Sequence, residues 1–422
     1  MYNTLIKNSL WATSGLLFNK TLNFATVTLI AKQLGPEQFG EYNVVQTTLG
    51  VFGAFSGMGL GLAATKLIAE WKNKDKFFLS NVIAYLYFLS FIVSFVIFVF
   101  FFVNAKWIAQ SLLNNNTLAI LFKITSIIVI FDSINGVQNG ILSGLEKYKI
   151  ITIINLLTGF ISSIVLLISV KFNEITGLTV GLLIIKLLTV IITKVYINRI
   201  LKKEQIKIVF KPDYNPLKTI LKISVPSFLS SITTSPVNWI VTTAFANEKN
   251  GYESIGTYNA ANQLRQLVLF LPDSAGKITI PQLASSYANN EAKKFKKIFL
   301  TTIISNLLFS TLPALFIVIF SFLFKNIIGQ EYKVSNDLIL IITTTGVLIA
   351  LTNALGYIFI CTNLVWYDFY LRIIWGVSWL ITALYFNIDK GANGYGFSIL
   401  ISYIVLLGLQ LFALLINLKN KN

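Results

Sequence analysis

The chain has 422 residues, of which 55% are apolar and only 12% are charged, about half the charged fraction of an average soluble domain. A water-soluble fold of this size has too little interior to bury that much apolar surface. The single cysteine, Cys361, and the absence of histidine exclude a disulfide scaffold, a Cys/His metal site and a histidine proton relay. The composition indicates an integral membrane protein, and no cofactor is expected.

Long apolar blocks predict twelve transmembrane helices, because each block is long enough to cross a hydrocarbon core of about 30 Å. In chain order the predicted spans cover residues 10–33, 43–64, 78–103, 118–142, 150–170, 176–197, 219–246, 255–281, 299–324, 336–360, 366–387 and 393–416. We therefore predict an all-α integral membrane fold.

Basic residues are distributed unequally between the predicted loops. Twenty-two of them lie on the side that holds both termini, and seven lie on the opposite side. Because loops rich in lysine and arginine stay in the cytoplasm, we expect both termini to be cytoplasmic. Most of the net charge of +17 then reflects topology, and nucleic acid is not an expected partner.

The longest polar stretch follows the sixth predicted span and divides the chain near its middle. We predict an N-terminal six-helix bundle over residues 1–200, a cytoplasmic linker over residues 201–217 and a C-terminal six-helix bundle over residues 218–422.

A short motif occurs once in each predicted half. The chain reads Gly35-Pro-Glu-Gln-Phe-Gly-Glu-Tyr-Asn after the first span and Gly251-Tyr-Glu-Ser-Ile-Gly-Thr-Tyr-Asn after the seventh, at an offset of 216 residues. Since six spans separate the copies, the halves share one orientation and form a pseudo-symmetric parallel repeat, which often places a substrate site between the halves. Alternatively, the motif is a stable turn used twice, with Glu at a helix N-terminus and Gly closing the turn.

Charged residues inside the predicted spans are few, and such residues usually face a bundle interior or a water-filled cavity. The cations are Lys20, Lys123, Lys186, Arg265 and Lys277, and the acids are Asp132 and Asp273. The cationic excess predicts a cavity for an anionic substrate such as a phosphate or diphosphate. Arg265 is the first candidate, because its planar guanidinium suits bidentate phosphate contacts; an internal pairing or a packing role is the alternative.

The two acids allow more than one role. Asp132 could pair with a neighbouring lysine or take up a proton, and Asp273 stands four residues from Lys277, close enough for an ion pair. Both acids are candidates for coupling transport to an ion. Lys123 lies near the end of its span and could extend its amine towards the headgroups.

Polar side chains recur at helical spacing on the first, second, seventh and eighth spans. We predict a hydrophilic cleft suited to a sugar, although such stripes also pack helices together. The cleft candidates are Asn19, Asn23, Asn43, Gln46, Ser231, Thr234, Asn238 and Asn262. Pro226 and Pro236 predict a kinked or broken seventh span and are candidate hinge residues.

The stretch Ala31-Lys-Gln-Leu-Gly-Pro-Glu-Gln-Phe-Gly-Glu-Tyr, followed by Ser56-Gly-Met-Gly-Leu-Gly-Leu-Ala-Ala-Thr-Lys, resembles the N-terminal signature of polysaccharide-biosynthesis flippases. These are the Wzx-type O-antigen and repeat-unit transporters of the multidrug/oligosaccharidyl-lipid/polysaccharide (MOP) superfamily. The resemblance implies a multi-pass protein of the bacterial inner membrane that moves an undecaprenyl-diphosphate-linked oligosaccharide by alternating access, for O-antigen or capsule assembly. Its implied partners are this substrate, membrane lipids and the polymerase and chain-length machinery of the same pathway.

Two related functions remain open on the sequence. A MATE-like cation-coupled exporter would be expected to carry acids deep in its N-terminal half, where this chain has Lys20. Lipid II-type flippases resemble this chain but have two further C-terminal helices. An enzyme is not expected, because the outer loops are short and hold no catalytic acidic motif.

Overall fold

The computed structural model describes residues 2–208, 216–289, 291–362 and 365–419. Within these ranges the chain is helical and forms no strand. The helices are α1 (Tyr2–Gly57), α2 (Leu60–Trp71), α3 (Lys76–Trp107), α4 (Leu118–Gly144), α5 (Tyr148–Lys203), α6 (Pro216–Ser231), α7 (Thr234–Ala246), α8 (Gly251–Ala288), α9 (Ala292–Ile319), α10 (Ser321–Ile328), α11 (Asn336–Cys361), α12 (Val365–Ile381) and α13 (Gly391–Lys419). Two π-turns (Ile108–Leu112 and Thr382–Asn387) and two 3-10 turns (Gln330–Tyr332 and Ile388–Lys390) complete the described structure.

The predicted all-α membrane fold is confirmed. In the described ranges, seven segments are long and apolar enough to cross a bilayer, and two of them, Asn19–Trp71 and Tyr148–Lys203, have 53 and 56 residues, enough for two crossings each. The predicted seventh, eighth and eleventh spans coincide with α6–α7, α8 and α12, which are shorter or more polar. These elements are consistent with twelve crossings.

The two long helices break where the sequence predicts loops. In α1 the break is at Gly35, which adopts φ 74° and ψ 173° and precedes Pro36, a residue suited to the first position of a helix. In α5 the break is at Asn173 and Glu174. The predicted seventh span is also broken, since Ile232 and Thr233 separate α6 from α7.

The chain folds into two compact units. The first unit contains residues 1–33 and 44–239, and the second contains residues 34–43 and 240–422. This division differs from the predicted halves at two places, because α6 packs on α2 and α3 in the first unit and residues 34–43 pack in the second. Residues 209–215 of the predicted linker lie outside the described residues, and the six-helix halves stay a prediction.

Close packing of small residues holds the first unit together. A Cβ on Gly140 of α4 would collide with the carbonyl oxygen of Gly61 on α2, and a Cβ on Gly144 would lie 2.8 Å from the Cβ of Ile68. Such contacts let helix backbones approach closely inside a membrane, where packing replaces the hydrophobic driving force. The glycine-rich run at the start of α2 is thus a packing surface: Gly59, at φ 67°, also packs on the backbone of Ser224 in α6.

The two copies of the repeated motif cross each other in the second unit. A Cβ on Gly40 would collide with the carbonyl oxygen of Tyr252, and a Cβ on Gly256 would collide with the carbonyl oxygen of Pro36. Gly40 and Gly256 occupy the same position of the motif, and so do Pro36 and Tyr252. The contact is therefore reciprocal, and each glycine admits the backbone of the other copy.

Candidate functional site

Arg265 lies on α8 in the second unit, and its side chain is half-buried. Its Nη1 donates a hydrogen bond of 3.2 Å to the hydroxyl of Tyr258, two turns earlier on the same helix. The aliphatic stem passes Gly346 of α11, where a Cβ would lie 3.3 Å from Arg265 Cγ. A glycine facing this stem leaves room for it between α8 and α11.

The charge of Arg265 has no acidic partner among the described residues. The ion pairs found within the described ranges all join other side chains. The Nε of Arg265 and the Oδ1 of Asn262, one turn earlier, are buried and make no hydrogen bond with the described residues. Both atoms lie on one face of α8, and a buried polar atom without a hydrogen bond costs about 1–3 kcal/mol.

An aromatic network fixes the hydroxyl that Arg265 contacts. The rings of Tyr258 and Tyr395 lie 4.5 Å apart, and the Tyr395 hydroxyl is 2.9 Å from the hydroxyl of Thr242. Phe245 packs edge-on against Tyr395 at 5.0 Å. The network joins α7, α8 and α13. It holds the Tyr258 ring, and the Tyr258 hydroxyl in turn orients the guanidinium group of Arg265.

Tyr258 is part of the second copy of the repeated motif, whereas Tyr395 was not singled out from the sequence. Tyr395 sits in an apolar span, where an aromatic residue is normally part of the core. The one sequence feature that could have singled out Tyr395 is its position between Gly394 and Gly396, because glycines leave space for bulky neighbours.

Lys186 and Asp132 form an ion pair in the first unit. The Nζ of Lys186 on α5 lies 2.5 Å from Oδ1 of Asp132 on α4, with side-chain exposures of 32% and 27%. One turn further along α5, the backbone oxygen of Val190 accepts a 3.1 Å hydrogen bond from Gln138 of α4. Of the two roles open to Asp132, the structure contains the pairing, which neutralises Lys186.

The remaining candidates in the first unit differ in exposure. Lys20 and Asn19 are half-buried on α1, and the buried Asn19 Oδ1 faces Gly159 of α5 without a hydrogen bond in the described residues. Asn23 is exposed on α1. Lys123 is also exposed, with its Nζ 5.6 Å from the ring centre of Phe102.

The polar candidates around the helix breaks have varied exposure. Gln46 and Asn238 are half-buried and Thr234 is exposed. Asn43 is half-buried and donates a 2.6 Å hydrogen bond to the Phe39 carbonyl. Pro236 is the third residue of α7, so it lies in the first turn and does not interrupt that helix.

Four further candidates complete the set. Asp273 is half-buried on α8. The side chains of Pro226, Ser231 and Lys277 lie outside the described part of the structure, so the expected Asp273–Lys277 pair stays a prediction.

The fold resembles that of solved transporters of the MOP superfamily. The inward-facing conformation of a multidrug resistance MATE family transporter superimposes with a TM-score of 0.74 at 16% identity and covers 96% of each chain. The lipid II flippase MurJ in its inward closed conformation gives 0.77 at 16% identity, covering 96% of this chain and 87% of that one. A MOP superfamily transporter from Pyrococcus furiosus gives 0.68 at 18% identity, covering 98% and 95%.

The chain belongs to the polysaccharide biosynthesis protein family, whose profile matches residues 5–286. A Shigella flexneri protein with the provisional name O-antigen transporter is 21% identical over 354 residues, which are 81% of each chain. The expected family is thus confirmed, and the fold neighbours are transporters.

Proposed function

We propose that this protein translocates an undecaprenyl-diphosphate-linked oligosaccharide across the bacterial cytoplasmic membrane by alternating access, from the cytoplasmic to the periplasmic leaflet. The glycan then serves the assembly of O-antigen, capsule or another surface polysaccharide by the polymerase and chain-length machinery. Both termini are cytoplasmic, and the two six-helix halves, residues 1–200 and 218–422, act as the two lobes.

One observation carries the proposal: Arg265 is a half-buried cation without a carboxylate partner among the described residues. A diphosphate supplies the missing negative charge and can accept two parallel hydrogen bonds from a guanidinium. Its oxygens also suit the unpaired Nε of Arg265. The aromatic network behind Tyr258 holds the guanidinium in place before the substrate arrives, which reduces the ordering cost of binding.

Several polar side chains are proposed to contact the glycan. Asn262 is the first of these, because its buried Oδ1 has no hydrogen bond in the described residues and can accept one from a sugar hydroxyl. Asn19 on α1 has the same property. Lys20, Lys277, Asn23, Asn43, Gln46, Ser231, Thr234 and Asn238 are the further candidates.

The pairing of Asp132 argues against a MATE-like cation exporter. Such a protein needs an acid that is free to bind a proton or cation, and Asp132 is the only acid inside a predicted span of the N-terminal half. In this structure its Oδ1 is paired with the Nζ of Lys186 instead. Asp273 remains the candidate for ion coupling, and a lipid II-type substrate is the second candidate function because it carries the same diphosphate.

The test is surface polysaccharide display in a host strain that lacks this gene and is complemented with variants. We expect Arg265→Gln, which removes the charge, to reduce display at least about tenfold, the loss expected for one charge-assisted contact. Arg199→Gln is the matched control, because Arg199 is exposed on α5 and should support normal display. Normal display by Arg265→Gln at normal protein levels would overturn the proposal.

A further inference from the structure

A groove opens at the end of the α3–α4 pair in the first unit, and it includes Lys123 from the candidates described above. It has a volume of about 360 Å³ and is lined by Lys106, Gln110, Asn116, Thr117, Ile120 and Lys123. Lys106 lies in the last turn of α3, Gln110 in the π-turn that follows it, and Lys123 in the second turn of α4. On the predicted topology this end faces the periplasm.

Two lysines share the groove without an acidic neighbour in the sequence. No aspartate or glutamate occurs between Lys76 and Phe131, and among the described residues neither lysine forms an ion pair. Lys123 is held over the ring of Phe102, which precedes Lys106 by one turn on α3 and so faces the same side. Two like charges brought to one groove repel each other unless an anion lies between them.

The residues around the groove are of the types found where a membrane protein passes from the hydrocarbon core to the lipid headgroups. Trp107 is 56% exposed beside Lys106, and tryptophan is enriched at the level of the lipid headgroups. Below it, α3 presents an exposed apolar surface that includes Val99, Phe102 and Val103. An anion with an attached hydrocarbon chain could therefore place its charge on the lysines and its chain along this surface.

We propose that this groove binds the phosphate of an anionic phospholipid from the outer leaflet. Lys106 and Lys123 contact the phosphate oxygens, while the amide groups of Gln110 and Asn116 contact the polar headgroup. Lys123 then serves this lipid site rather than the cavity proposed for the transported substrate. The lipid is held at the rim of the protein, and the proposal does not depend on what the protein transports.

The experiment measures lipid binding to the purified full-length protein by native mass spectrometry, with phosphatidylglycerol and phosphatidylcholine as probes. We expect wild-type protein to bind phosphatidylglycerol at least about tenfold more tightly, because the choline cation offsets the phosphate charge of phosphatidylcholine. Lys106→Gln/Lys123→Gln should lose at least about tenfold in affinity for phosphatidylglycerol. Lys106→Arg/Lys123→Arg should retain it.

The matched control is Lys171→Gln/Lys249→Gln, which removes two exposed lysines from loops on the same predicted side and should change affinity less than about twofold. Equal losses in both double variants, or none in the groove variant, would overturn the proposal. If about 10 mM inorganic phosphate displaces the lipid from wild-type protein, the groove is a site for free phosphate and the lipid assignment is wrong. Should the double glutamine variant not fold, the single exposed change Lys106→Gln is compared in the same way.

Discussion

Arg265 owes its position to neighbours from three helices, and the sequence reveals only part of that arrangement. Its depth in a span and its place on a polar stripe are both visible in the sequence and single it out there. Its hydrogen bond to Tyr258 and the support from Tyr395 depend on contacts between distant segments. The Asp132–Lys186 pair is similar: the sequence allows it, and the packing of α4 on α5 selects it.

Tyr258→Phe removes the hydroxyl that accepts the hydrogen bond from Arg265 and keeps the ring that packs on Tyr395. We expect a loss of about 0.5–1.5 kcal/mol in the free energy of unfolding, as for one buried hydrogen bond. Thermal unfolding in detergent measures the loss. Tyr385→Phe is the control, because Tyr385 is 80% exposed; a similar effect of both changes would contradict the role given to the Tyr258 hydroxyl.

Asp132→Asn and Lys186→Gln each leave one half-buried charge without its partner. We expect each change to destabilise the protein by about 1–2 kcal/mol, since the side chains remain partly accessible to water. The double variant should lose less than the sum of the two single losses, because the remaining charge is removed as well. Additive losses in the double-mutant cycle would show that the two residues do not interact.

At the scale of helices, the breaks are easier to predict than the packing. Gly35-Pro36 and the polar residues near position 173 interrupt apolar runs, and the breaks in α1 and α5 fall within the predicted loops. The sequence also reveals the repeated motif, but it does not indicate that Gly40 and Gly256 pack against the opposite copy. A glycine has no side chain whose pattern could identify its partner. The packing of α6 on α2 is not predicted for the same reason, because it involves Gly59.

Gly40→Ala and Gly256→Ala place a methyl group against a backbone carbonyl that belongs to a helix. Backbone yields less easily than a side chain, so we expect each change to destabilise the protein by about 1–3 kcal/mol. The control is Gly50→Ala on α1, where a Cβ meets no atom within 4 Å; alanine should be tolerated or slightly stabilising there. Melting temperatures of the three variants in one detergent distinguish the positions, and equal values would contradict the reciprocal crossing.

For the whole molecule, charge and hydropathy predict the class of fold, because the membrane restricts the chain to helices that satisfy their own backbone. They do not predict the division into two units, which follows from contacts between helices far apart in the sequence. Residues 34–43 belong to the second unit although they precede most of the first. The orientation in the membrane rests on the unequal distribution of lysine and arginine alone.

The orientation can be measured by labelling single cysteines introduced in a Cys361→Ser background. A membrane-impermeant maleimide should label Lys249→Cys in intact spheroplasts, since the loop that holds Lys249 faces outward on the predicted topology. Lys293→Cys should react only after the membrane is made permeable. Both lysines are exposed, so a reversed pattern would reflect reversed topology rather than burial.

The most direct test of the central claim is lipid translocation by the purified protein in proteoliposomes. The probe is a polyprenyl-diphosphate-linked sugar with a fluorescent label on the sugar, and an impermeant reductant is the quencher, because it bleaches irreversibly each label that reaches the outer leaflet. We predict that wild-type protein and Arg199→Gln expose nearly all of the probe to the quencher, whereas Arg265→Gln leaves about half of it protected, as in protein-free vesicles with the probe in both leaflets. Equal exposure with Arg265→Gln and wild-type protein would contradict a diphosphate site at Arg265, and no exposure with wild-type protein would contradict translocation of this class of lipid.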